Sequence, residues 1–365
     1  ESNAIVAEFA DDVFARLFVA PTIVMLYVDG LRASSTTVTL TGLPTDDSHV
    51  LFTNGYAERR EVTPADGGSV TLPLDLSAPR LLWLQSRGAT LVIGGPDDAC
   101  ETVGVRDGST CTLTTDVADN VLIAESGQTL DCNGHAIMPP LAGMELGTSE
   151  TTVGEGAGIT VWEVAETAIR RCNIGSVEGM PMTGGFGVGI QTHLATGVEI
   201  SDCALTGNIS GILVSASSGA VIRNNRLSGK LYSGISIQDA PFKSIEEMPP
   251  ALPNEVSGNT FEMPPPVPDF RKAAAIELRS GLGQIKPSDG MSPAPPLPPT
   301  TVRANVVEGG ANAILLDGVT DAEVVENDLE GVLRGLVILP GGWPNRVWHN
   351  NITATEFGVM DARRW

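Results

Sequence analysis

Five side chains in the later part of the chain have the types and spacing that chemistry needs: His193, Gln238, Glu277, Arg279 and Asp317. They fall in the stretches GIQTH, GISIQ, AIELR and AILLD, whose short apolar runs read as strands. Strand alternation sends Ile190 and Thr192 inward, and Gln191 and His193 outward. If the stretches stack, two outward columns result. One is Thr160, Gln191, Leu213, Ser236, Glu277, Leu315, Val337 and Met360; the other is Trp162, His193, Ser215, Gln238, Arg279, Asp317 and Leu339. On such a face His193 or Arg279 would serve as a base, and Glu277 with Asp317 would hold a cation such as calcium. The plain alternative is a solvated ion pair, because Glu277 and Arg279 share one strand face.

A repeat supplies the stacking. Aligned on Asn225, the segments AIRRCNI, VEISDCAL, VIRNNRL, EVSGNTF, TVRANVV, EVVENDL and RVWHNNI place Cys172, Cys203, Asn225, Asn259, Asn305, Asn327 and Asn350 in one column. Apolar residues flank it three positions before and two after in every copy. Successive uninterrupted copies are about 22 residues apart, in the range that marks a stacked array. The units are short β-branched runs separated by Gly, Asn, Asp and Ser, which are strands and turns. Three short strands per turn make a right-handed parallel β-helix, so the fold class is all-β. Inward asparagines bond one another up the column and satisfy bends that burial would leave unpaired. The ladder is therefore structural. In the first coil either Cys132 or Asn133 heads the column, and the spacing from Leu130 favours Asn133.

The stretch VLIAESGQTLDCNGHAI, followed by these coils, resembles the opening of pectate-lyase-like right-handed β-helix proteins over roughly residues 105–365. That superfamily holds lyases, hydrolases, epimerases, phage spikes and non-enzymes, so the resemblance implies a fold and leaves the activity open. In its lyases and epimerases a metal or acidic residue neutralises the sugar carboxylate while a base takes the C5 proton. Neither a dense Asp cluster nor a Tyr-and-His signature is visible here. No aromatic row is there to grip a sugar chain.

Composition narrows the partners. Asp plus Glu outnumber Lys plus Arg by 44 to 22, a formal net charge of −22. Such a surface repels nucleic acid, and polyanionic sugars unless calcium or a local basic patch intervenes. No stretch has the length and apolarity of a membrane span. The start ESNAIVAEF, without Met or a signal peptide, reads as the processed end of an exported protein. Cys100 and Cys111 lie close together in a turn-rich segment and are expected to pair. Cys132, Cys172 and Cys203 read as buried thiols of the stack, with one bridge between rungs as the alternative.

Three parts are expected: an N-terminal arm over 1–30, a sandwich over 31–98 and the β-helix over 99–365. AEFADDVFARLFV has helical spacing. Residues 35–95 alternate as strands and resemble a small immunoglobulin-like sandwich, with Phe52 and Trp83 in its core. Insertions near 139–156, 175–187, 240–252, 262–272 and 280–299 include three proline-rich loops, stiff and extended. The acidic run from Asp317 to Glu330 reads as a solvated face, and His49, His135 and His349 as structural.

The last coil ends at GVMDARRW with no cap, which leaves an apolar cross-section and a strand edge. Ile5, Val6, Ile23 and Val24 of one copy against Val359, Met360 and Trp365 of the next would cover it, a head-to-tail contact that builds filaments. With the outward apolar stripe of Leu213, Leu315, Val337, Leu339 and Met360, this makes a secreted, non-catalytic, self-assembling β-helix the leading expectation. A secreted polysaccharide lyase or epimerase is the alternative.

Overall fold

The computed structural model describes residues 5–362, apart from scattered short segments in the first 97 residues and from 139–153, 176–184, 230–231, 239–251, 266–272, 281–296 and 341–343. Most of the expected insertions lie outside the described residues. The chain divides into two compact units, Glu1–Ala89 and Thr90–Trp365. The boundary precedes the expected one because Thr90–Ile93 already pairs in parallel with Asn120–Ile123, as the first rung of the second unit. Among the described residues no helix is long and apolar enough to cross a membrane.

The first unit has a three-stranded and a five-stranded antiparallel sheet. Alternate residues of both enter one core, among them Leu26, Val38, Leu51, Leu72 and Leu84. It is a β-sandwich, and the immunoglobulin-like likeness stays a resemblance. Two expectations fail here. AEFADDVFARLFV is not a helix but parts of the strands Val6–Phe9 and Phe14–Ala20, paired with Ser35–Thr41 and Ile23–Asp29. Residues 1–30 are no separate arm, since Ile23–Asp29 also pairs with Arg80–Ser86. The strands of Phe52 and Trp83 are described, but their side chains are not.

The second unit is a right-handed parallel β-helix with three faces. Sheet I runs from Thr110–Leu113 to Arg346–Trp348, one short strand per coil. Sheet II begins at Val117–Ala118 and sheet III at Thr90–Ile93. They merge where Asp328–Ile338 and Asn351–Asp361 run through both. Inward Ile, Leu and Val from all three faces build one continuous core. Gly211 shows why a coil can begin with Gly: a Cβ there would lie 2.4 Å from Leu227 Cδ2 and 2.5 Å from the Gly234 carbonyl. The four-residue helix Cys100–Val103 and the antiparallel hairpin Gly104–Asp107/Thr110–Leu113 follow that first rung, with Ala99 and Val103 packed on the core.

The ladder forms as expected. Asn225 donates through N and Nδ2 to Asn259 Oδ1, Asn259 to Asn305, Asn305 to Asn327 and Asn327 to Asn350, at 2.8–3.0 Å. Cys203 N donates to Asn225 Oδ1, which links the cysteine part of the column to the amide part. Cys100 and Cys111 are bonded, with Cα atoms 5.8 Å apart. Cys132 and Cys172 are also bonded, so the bridge between rungs replaces two of the expected thiols. Cys132 and not Asn133 heads the column: Leu130 pairs with Ile169 and Ile137 with Ile174, so the first bend is two residues longer than the next. Asn133 is pushed outward and is exposed, with φ 50°. Cys203 remains a buried thiol.

Candidate functional site

Sheet III holds the five residues singled out by their chemistry. Its parallel registers build both expected columns rung by rung, Trp162–His193–Ser215–Gln238–Arg279–Asp317 beside Thr160–Gln191–Leu213–Ser236–Glu277–Leu315. The inward partners of these strands, such as Ile190, Ile212, Ile235, Ile276 and Ile314, fix the orientation by filling the core.

Register also separates the five. His193 stands three rungs from Arg279, about 14 Å at the strand spacing, so the residues form two groups. In the first, His193 Nδ1 lies 3.3 Å from Ser215 Oγ and its ring meets Trp162 edge-on, centroids 6.2 Å apart. Although they point away from the core, Trp162, Gln191 and His193 are each no more than 3% exposed. This part of the face is sealed from bulk water.

The second group opens to solvent. Arg279 is 45% exposed, whereas the side chains of Glu277 and Asp317 keep only 12% and 16%. Arg279 Nη2 donates to Glu277 Oε1, and its Nε lies 3.5 Å from Asp317 Oδ2. Ser236 Oγ donates to Glu277 Oε2 at 3.4 Å, and Gln238 Nε2 to Ser236 Oγ at 3.0 Å. Burial pushes the Glu277 carboxyl above its ordinary range and the Asp317 charge adds to this, while Arg279 and Ser236 oppose it. One guanidinium thus stands between two carboxylates, and burial biases Glu277 toward holding a proton.

This geometry corrects the mechanism expected from sequence. His193 is too far away to act as a base beside a cation held by Glu277 and Asp317. Both carboxylates face Arg279, and among the described residues no group of His, Cys, Asp and Glu is arranged to hold a metal. The outward apolar stripe is not a free surface either: Leu213, Leu315 and Val337 are buried. Of the assembly residues, Val24 lies in the sandwich core and Ile5 packs against it, while Val6 is exposed. Val359 is exposed and Met360 packs against Leu315 and Val337. The side chain of Ile23, and Trp365, lie outside what is described.

Sequence reasoning passed over Ser236, which ties Glu277 to Gln238, although it stands in the same outward column. It also passed over Asp131, whose carboxylate takes Arg170 Nε at 2.9 Å and Arg171 Nη2 at 2.5 Å. The signal was legible: the Arg pair of AIRRC falls one coil above the Asp of LDC.

A sequence profile for right-handed β-helix regions matches residues 106–263. No curated protein sequence matches the chain. An alginate lyase from Paenibacillus sp. strain FPU-7 is similar in structure, with 13% identity over 69% of this chain and 98% of that one and a TM-score of 0.33. The catalytic domain of a GH87 α-1,3-glucanase is similar over 95% of this chain and 87% of that one, with 10% identity and a TM-score of 0.36. A GH136 lacto-N-biosidase from Eubacterium ramulus gives 10% identity over 74% and 67% of the two chains, with a TM-score of 0.28.

Proposed function

We propose that the chain cleaves glycosidic bonds in an extracellular sugar polymer at the solvent-reached part of sheet III. Glu277 is the proton donor to the glycosidic oxygen, and Asp317 is the second carboxylate, which directs a water at the anomeric carbon as the bond to the leaving sugar breaks. The observation that carries this reading is the buried Glu277 carboxyl, raised by its environment, two residues from the exposed Arg279 that it shares with Asp317. A carboxyl raised by its surroundings beside a second carboxylate is the arrangement that glycoside hydrolysis uses. Arg279 is already engaged by two carboxylates, so it is poorly placed to neutralise a uronate, and the charge of −22 repels polyuronates. A neutral polymer and hydrolysis fit this site better than β-elimination. Two disulfides suit an oxidising, extracellular setting.

The test is reducing-end release from a panel of neutral polysaccharides, with unsaturated-uronate absorbance followed in parallel on acidic ones. The reading expects release from a neutral polymer and a loss of about 100-fold or more in E277Q, with unfolding unchanged. Uronate absorbance, or an active E277Q, would overturn it. Self-association is the second reading, supported by exposed Val347, Trp348, Phe357 and Val359. Light scattering at high concentration tests it, and a monodisperse monomer counts against it.

A further inference from the structure

Cys132, Cys172 and Cys203 occupy one column on three successive coils, in step with the strand pairs Leu130–Ile169 and Ile169–Ile200. The bond between Cys132 and Cys172 joins Cα atoms 4.7 Å apart. Cys203 stands one coil further on, at the strand spacing of about 4.8 Å from Cys172, which is also within disulfide reach. Its sulfur has the same seat as that of Cys172. Cys203 Sγ lies 3.2 Å from the Ser201 carbonyl and Cys172 Sγ 3.4 Å from the Arg170 carbonyl, two residues back in each case, and Arg170 pairs with Ser201. Cys172 N donates to Cys203 Sγ at 3.5 Å, as Cys203 N does to Asn225 Oδ1 on the next coil. In the amide part of the column successive side chains touch at 2.8–3.0 Å. The column thus holds a thiol directly against a disulfide.

We infer that the three cysteines form a relay, in which the bridge moves by one coil, from Cys132–Cys172 to Cys172–Cys203, while the coils stay folded. Cys203 gives up its proton and its thiolate attacks Cys172 Sγ. The Cys172–Cys203 bond forms as the Cys132–Cys172 bond breaks, and Cys132 leaves as a thiolate and takes up a proton. No electrons are gained or lost, so no oxidant is needed. Cys172 stands between the other two, so Cys203 meets its sulfur from the side opposite the leaving Cys132. All three residues are at most 2% exposed, which keeps outside thiols from the bridge and makes the exchange internal. The two bridges join residues 40 and 31 (203 − 172) positions apart. Closure of loops of these lengths differs by only about 1.5-fold, so chain entropy traps neither isomer. The relay decides which pair of neighbouring coils is stapled, the first with the second or the second with the third.

The test follows the free thiol through time in the full chain. Folded protein is held at pH 8 and at pH 10, quenched and unfolded in acid, where exchange stops, then labelled with a maleimide and mapped by peptide mass spectrometry. The expected result is label at Cys132 growing at the expense of Cys203, with Cys100 and Cys111 unlabelled. Burial pushes the Cys203 thiol up to about 12, so its thiolate gains tenfold per pH unit and the exchange runs about 100-fold faster at pH 10 than at pH 8. The variant C203S, which lacks the attacking sulfur, takes no label at Cys132 under the same treatment. Label that stays on Cys203 alone at every time and both pH values would overturn the relay. So would Cys132 label accompanied by label at Cys100 or Cys111, which marks scrambling in unfolded chains, or Cys132 label in C203S.

Discussion

The Asn305→Ala variant puts the ladder to a quantitative test. Asn305 is fully buried and its side chain makes four hydrogen bonds. Its Oδ1 accepts from N and Nδ2 of Asn259, both at 3.0 Å, and its Nδ2 donates to the Val256 carbonyl and to Asn327 Oδ1, both at 2.9 Å. Alanine leaves the two Asn259 donors and the Val256 carbonyl without that partner, where water does not reach. At about 1–3 kcal/mol for each buried unsatisfied group, partly relaxed by local shifts, the loss is about 3–5 kcal/mol. Asn350→Ala deletes the same kind of side chain on the last rung, where Asn350 is only partly buried. Water replaces the lost bonds there, so the cost is about 1 kcal/mol. Urea unfolding of the second unit followed by far-ultraviolet circular dichroism reads both. Equal losses in the two variants, or less than about 1 kcal/mol for Asn305→Ala, would refute the argument that the ladder acts by satisfying buried bends.

Two further outcomes rest on titration. Burial raises half-buried Asp119 from 3.8 to about 6, against the hydrogen bond from Asn120 N. The fold therefore binds this proton more tightly than the unfolded chain does, so the stability it contributes is complete below pH 4 and lost as pH rises through 6. Asp119→Asn gains about 1 kcal/mol at pH 8, after discounting for solvent screening, and nothing at pH 4; denaturation midpoints at the two pH values check this. Burial also pushes the Cys203 thiol up to about 12. Native protein at pH 8 resists alkylation there, and peptide mapping finds Cys203 labelled only after unfolding.

The coil architecture was legible because it repeats. A period near 22 with Asn at a fixed place has one economical explanation, and alternation within each strand sufficed to name both columns of sheet III. The misreadings arose where a distant partner decides local structure. Spacing in AEFADDVFARLFV fits a helix, yet pairing of Ala7 with Leu40 and of Val19 with Val24 holds its ends in strands. Asn133 had the right count from Leu130, but the first bend is longer, and no local signal near Cys132 reports that. For the site, the residue types were readable and their grouping was not. The gap between His193 and Arg279 follows from counting rungs. The burial of Gln191 and His193 depends on what overlies the sheet, which strand alternation does not encode.

The central claim, that Glu277 meets a sugar polymer on sheet III, is tested most directly by a crystal structure of E277Q soaked with an oligosaccharide that the wild-type protein cleaves. The account predicts sugar density over Gln238, Arg279 and Asp317, with a glycosidic oxygen within hydrogen-bond distance of the substituted side chain. Density confined to another face, or a chain on sheet III with no glycosidic oxygen near position 277, would contradict it.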